Sequence, residues 1–113
     1  MKDIDIAIIE GFNNGIMDKK EDIYNFLQGS LIHLDEDLKR FKRTKQEKTY
    51  AYLETLYNNA VKEQEKVLKG KPLEIIHILE LNRYNQSKTK ELKIIMAATV
   101  VLMLVIVFSS VYL

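Results

Sequence analysis

Lys42-Arg43-Thr44-Lys45-Gln46-Glu47-Lys48-Thr49 is the stretch on which the fold turns. It contains no apolar residue and separates two runs of helical periodicity. Upstream, Ile23, Leu27, Leu31, Leu34, Leu38 and Phe41 recur at spacings of four and three, with Phe26 alongside. That pattern makes one apolar stripe along a helix. Gly29 interrupts it at about 1 kcal/mol relative to Ala, which six apolar positions outweigh. Carrying the spacing past Phe41 lands on Lys45 and Lys48. The stripe resumes out of phase as Tyr50, Leu53, Tyr57 and Ala60, with Leu56 and Val61 beside it and Val67 and Leu68 near its end. Two readings fit. Helices over 19–43 and 45–69 form an antiparallel hairpin, or one long helix carries a phase shift, as at a coiled-coil stutter. The hairpin buries both stripes within one chain and is preferred, although its connection is short and has neither Gly nor Pro. Thr44-Lys-Gln-Glu47 offers a second helix start through a capping box.

Working outward, Asp18-Lys-Lys-Glu21 has the form of a capping box at the start of the first long helix. Before it, residues 1–17 form a short N-terminal amphipathic segment. Ile4, Ile6 and Ile8 alternate like a strand, but Ile4, Ile8, Phe12 and Ile16 fall at helical spacing. The reading is a helix over about 3–12, cut short by Gly11 and Asn13-Asn14-Gly15. Downstream, Gly70-Lys71-Pro72 is a helix stop, with Pro72 placed to open the next helix at its first position. Leu73, Ile75, Ile76, Ile78, Leu79, Leu81 and Tyr84 then spread around most of a helix, which predicts burial on several sides. The soluble helical domain thus covers 18–84. A polar, basic linker follows over 85–93, either as a helical continuation or as a loose segment.

Residues 94–113, Ile-Ile-Met-Ala-Ala-Thr-Val-Val-Leu-Met-Leu-Val-Ile-Val-Phe-Ser-Ser-Val-Tyr-Leu, carry no charge and no helix breaker. Twenty residues at about 1.5 Å each match the ~30 Å hydrocarbon core of a bilayer. The expectation is a transmembrane anchor. Lys88, Lys90 and Lys93 precede it and no basic residue follows, which places the N-terminal side in the cytosol. With no basic n-region at the start and no domain after the anchor, the topology resembles the tail-anchored class. In a bacterium that means the plasma membrane; in a eukaryote, an ER-type membrane is favoured over the mitochondrial outer membrane.

The chemistry sought is mostly absent from the sequence. Seventeen basic and sixteen acidic residues leave a net charge of +1, which argues against a general nucleic-acid binder. Without cysteine there is no disulfide and no thiolate metal site. Neither His33 nor His77 has a second ligand at i+3 or i+4 that makes a metal pair, the best being Asp37, four after His33, and Asp35-Glu36-Asp37 fans around a helix, so no metal is expected. No phosphate-binding loop, dinucleotide fingerprint or nucleophile motif occurs. The expectation is therefore no enzyme, no cofactor and no small-molecule substrate. The basic run Lys39, Arg40, Lys42, Arg43, Lys45 and Lys48 has two readings: a solvated face, or a contact with anionic headgroups or an acidic partner.

The fold expected is all-α, a small cytosolic helical hairpin or bundle with one C-terminal transmembrane helix. The function expected is a membrane-tethered scaffold, adaptor or accessory subunit acting through helix–helix contacts with a protein partner or with itself. The candidate partner-binding residues are Leu31, Leu34, Leu38, Phe41, Leu53 and Tyr57. A subunit of a larger membrane complex and a membrane-active or fusion-type protein are the alternatives.

Overall fold

The structure, a computed structural model, describes residues 3–42 and 46–112, with the side chains of 91–93, 95 and 110–112 outside the description. Its described residues form four helices and no strand: α1 (Ile6–Asn13), α2 (Lys20–Lys42), α3 (Glu47–Lys69) and α4 (Ile75–Tyr112).

α2 and α3 make the most extensive interhelix contact. They run antiparallel, since the Lys20 Nζ reaches the Leu68 carbonyl and the Gln64 amide donates to Gln28 at 2.8 Å. The two stripes therefore meet within one chain. Residues 43–45, with Arg43, Lys45 and the Thr44 of the second capping box, lie outside the described residues. α2 begins at Lys20, with Glu21 and Asp22 in its first turn facing the positive end of the helix dipole. Asp18 lies in the preceding turn, and its expected capping pair with Glu21 is not among the hydrogen bonds of the described residues.

Gly70 stops α3 as expected. Its φ of +67° is open to glycine at no steric cost. The Lys71 amide bonds to the Lys66 carbonyl at 2.9 Å and the Gly70 amide to the Val67 carbonyl at 3.2 Å. Those two bonds are a Schellman motif, which satisfies carbonyls that α3 would otherwise leave open. Pro72 does not open the next helix, because α4 begins three residues later at Ile75. The intervening backbone is held from elsewhere. The Asn13 side chain accepts from the Leu73 amide at 2.7 Å and donates to its carbonyl at 3.0 Å.

α1 is one turn shorter at its start than expected and is capped by Asp5, whose carboxylate accepts from the Ala7 amide. Ile4, Ile9 and Phe12 are buried, whereas Ile16 is exposed in the turn beyond. Asn82 of α4 clasps the Ile4 backbone with two 2.9 Å bonds.

α4 is continuous through residues 85–93, so that stretch is helix and not a loose linker. Its first half buries one side only. Ile78 and Leu81 are fully buried and Tyr84 nearly so, while Ile76 and Leu79 are exposed. Burial on several sides is thereby corrected, since α1–α3 cover a single face. Beyond the bundle α4 projects. The radius of gyration is 18.6 Å, against about 13 Å for a compact domain of this length. Eleven large apolar side chains between Ile94 and Phe108 are each more than half exposed. Among the described residues, however, no helix is long and apolar enough to cross a membrane, so the expected transmembrane helix is not shown.

Candidate functional site

The stripe residues singled out as partner contacts sit largely in the chain's own core. Leu34 is fully buried, Leu31 and Leu53 nearly so, and Leu38, Phe41 and Tyr57 are half-buried against them. Phe41 also lies under the Arg40 guanidinium, 4.9 Å from the ring centre, a cation–π arrangement.

Three fully or nearly buried polar groups pin α4 to the hairpin. The Glu63 carboxylate, wholly buried on α3, accepts from the Glu74 backbone amide at 3.1 Å and from Lys66 Nζ at 3.1 Å. His77 Nδ1 lies 2.9 Å from it. A carboxylate at the start of α4 faces the positive end of that helix's dipole, and its partners offset the cost of burying the charge. Ser30 of α2 accepts from the Asn85 amide at 3.1 Å and donates to the Phe26 carbonyl. Asp37 accepts from the Tyr84 hydroxyl at 2.5 Å and from Lys88 Nζ at 2.9 Å, with Arg40 at 3.4 Å. Burial, and then the bond to Asp37, raise the Tyr84 hydroxyl well above the ordinary tyrosine value.

These clasps were missed in the sequence, though a signal was present. Ser30 and Asp37 continue the series Ile23, Leu27, Ser30, Leu34, Asp37, and Glu63 continues Leu56, Ala60, Glu63, Val67. A polar residue in phase with an apolar stripe must be buried with a partner or break the stripe.

Asp37, five residues before the end of α2, joins that end of the helix to Tyr84 and Lys88 of α4. Lys39, Arg40, Lys42 and Lys48 occupy exposed positions at that end. The Asp35 carboxylate, 3.0 Å from Lys39, holds that lysine above its ordinary value. Lys88 is half-buried on Asp37, Lys90 is exposed, and the Lys93 side chain lies outside the described residues.

His33 stands 3.9 Å from Glu36 on the surface of α2. No group of three or more acidic or histidine side chains among the described residues could hold a metal ion. A cavity of about 480 Å³ opens between the N-terminal segment and α2, lined in part by Asp3, Asp5, Asp22 and Phe26. Asn85 also lines it, and its buried Oδ1 has no hydrogen-bond partner among the described residues. No family model, curated protein or solved structure matches the chain.

Proposed function

We propose that this chain is a non-enzymatic, membrane-tethered helical scaffold or accessory subunit, anchored by the C-terminal half of α4 with the bundle on the cytosolic side. One observation carries the reading. Residues 100–108 are nine consecutive positions, enough to cover every face of a helix, and every one is an exposed large apolar side chain. Monomers in water seldom leave more than a few hundred Å² of contiguous apolar surface uncovered. Hydrocarbon covers such a surface on all sides, whereas a protein groove covers one. The described side chains 96–109 span about 20 Å as helix, and the charge-free sequence carries the run to twenty residues. Lys88, Lys90 and Lys93 on its N-terminal flank support the cytosolic placement of the bundle.

Alkaline extraction of membranes tests the tether. The full chain is expected in the membrane pellet and a chain lacking residues 94–113 in the supernatant. A full chain stripped by alkali, or a truncated chain retained in the pellet, rejects the reading. Protease added to sealed vesicles with the bundle inside should spare an N-terminal tag; its digestion reverses the orientation.

A further inference from the structure

We infer that the cavity between the N-terminal segment and α2 binds an aliphatic polyamine. The site is independent of the tether, because the bundle alone walls it.

Size and lining suit a small organic ligand. The cavity measures about 480 Å³, within the ~300–1,000 Å³ of small-molecule sites. Ile4 and Ile8 of the N-terminal segment and Phe26 of α2 give it apolar surface. Gly29 of α2 also lines it, and a Cβ at that position would meet nothing within 4 Å. Glycine inside a helix is less favourable than alanine. The helix has no use for glycine at 29, whereas the cavity gains room from it. An unmet acceptor lies in the wall. Asn85 of α4 lines the cavity and is 2% exposed, and its Oδ1 has no hydrogen-bond partner among the described residues. Ser30 fixes which end of that amide is unmet. Its hydroxyl donates its one proton to the Phe26 carbonyl at 3.0 Å, so toward Asn85 it can only accept. The amide nitrogen therefore takes the Ser30 side, at 3.1 Å, and the oxygen is left over. A buried acceptor without a donor is unfavourable, and a ligand N–H relieves it.

Charge selects the ligand. Among the described lining residues three are carboxylates, Asp3, Asp5 and Asp22, and none is lysine or arginine. Asp3 uses one oxygen to accept from Gln86 at 2.8 Å, and Asp5 uses one to cap α1. Asp22 meets Lys19 only at 4.0 Å. Each carboxylate thus has an oxygen outside those contacts, and an anion would be repelled. A metal ion does not suit the site either, since no group of three acidic or histidine side chains among the described residues could hold one. The negative charge is instead spread over both walls, with Asp3 and Asp5 on the N-terminal segment and Asp22 on α2. Apolar side chains lie among these charges. That pattern fits several ammonium groups joined by methylene chains. The methylenes pack on Ile4, Ile8 and Phe26, the ammonium groups face the carboxylates, and one N–H serves Asn85 Oδ1.

Isothermal titration of the full chain with spermidine, in micelles of an uncharged detergent, tests the site. One spermidine should bind per chain. n-Butylamine, with a single charge, should bind roughly tenfold more weakly, because it forgoes two ion pairs. Asp22→Asn removes one exposed carboxylate and should weaken spermidine about two- to fivefold. Gly29→Leu puts a good helix former into the open space. It should abolish binding without lowering the thermal midpoint of the bundle. Asp22→Asn, at an exposed position, keeps the test decisive if Gly29→Leu does not fold. Absence of spermidine binding overturns the proposal. So does binding that survives both substitutions unchanged, which would be diffuse counterion attraction. Equal affinity for n-butylamine overturns the polyamine in favour of a single ammonium group. Tighter binding of a Lys-Gly-Lys peptide than of spermidine overturns the free amine in favour of the lysines of a protein partner.

Discussion

α4 is two different objects joined without a break. Over its first half, Ile78 and Leu81 are fully buried, Asn82 holds the N-terminal segment and Tyr84 reaches Asp37 across the bundle. Over its second half, from Ile94 to Phe108, the large apolar side chains described are exposed on every face. Backbone propensity does not distinguish the halves, since both are regular helix. The difference is what each finds around it. The first half has polar side chains that partner specific groups on α2, α3 and the N-terminal segment, so it has one register. The second half has no charged side chain and suits any uniformly apolar surrounding. Hydrophobicity alone does not specify a bundle helix; buried polar partners do.

Paired substitutions break that comparison most directly. Ile78→Asp puts an unpaired carboxylate at a fully buried position. The expected loss is on the order of 5 kcal/mol, comparable with the stability of a small domain. Circular dichroism of the full chain in detergent micelles should show the cooperative transition of the bundle gone. Leu102→Asp should leave that transition within about 0.5 kcal/mol of the parent and instead weaken membrane retention, by ~3 kcal/mol at the centre of a span. A bundle unfolded by Leu102→Asp, or indifferent to Ile78→Asp, would erase the distinction between the halves.

The Glu63 cluster sharpens the comparison at the start of α4. Glu63→Ala leaves the Glu74 amide without its acceptor and Lys66 without its ion pair. Removing one member of a buried charged cluster costs about 3 kcal/mol. Denaturant unfolding should report that loss, and hydrogen exchange should quicken at the Glu74 amide. A loss of only a few tenths would mean that the apolar contacts of Ile78 and Leu81 suffice to seat α4.

Much of this architecture is legible in the residues. The apolar gap after Phe41 and the out-of-phase restart at Tyr50 separate α2 from α3, because a straight helix cannot present two stripes on different faces to one neighbour. Gly70 marks the end of α3, because the left-handed conformation of a Schellman turn suits glycine. Pro72 misleads for a tertiary reason. Asn13, sixty positions away, holds Leu73 in a non-helical connection, and helix waits until Ile75. The stripe residues Leu31, Leu34 and Leu53 read equally well as core or as partner surface, since periodicity shows a buried face without showing what buries it. Glu63 and Asp37 are hidden by their charge: a search for apolar positions passes over the two residues that orient α4. The basic run is visible in sequence as a charge cluster. That Asp37 beside it meets Tyr84 and Lys88 is not, because those partners lie far along the chain.

The smallest effect expected is at that meeting point. Tyr84→Phe removes one hydrogen bond to Asp37 but leaves Lys88 and Arg40 on the carboxylate. The expected cost near neutral pH is about 1 kcal/mol. Its pH dependence is more diagnostic than its size. Burial and the Asp37 bond raise the Tyr84 hydroxyl in the folded protein, whereas in the unfolded chain it titrates near the ordinary value of about 10. Above that pH the unfolded state releases the Tyr84 proton and the folded state keeps it. Proton release then favours unfolding, so the stabilisation from Tyr84 is fully present below about pH 10 and is lost as pH rises beyond it. Phenylalanine has no proton to release. The stability gap between the parent chain and Tyr84→Phe should therefore be smaller at about pH 11, above the unfolded value, than at about pH 8, below it. Every other group is the same in both proteins, so the comparison largely cancels their contributions. Urea unfolding of the full chain in micelles at the two pH values reads the gap. A gap that stays constant would place the Tyr84 hydroxyl in water in the folded protein, and with it would loosen the clasp between Asp37 of α2 and α4.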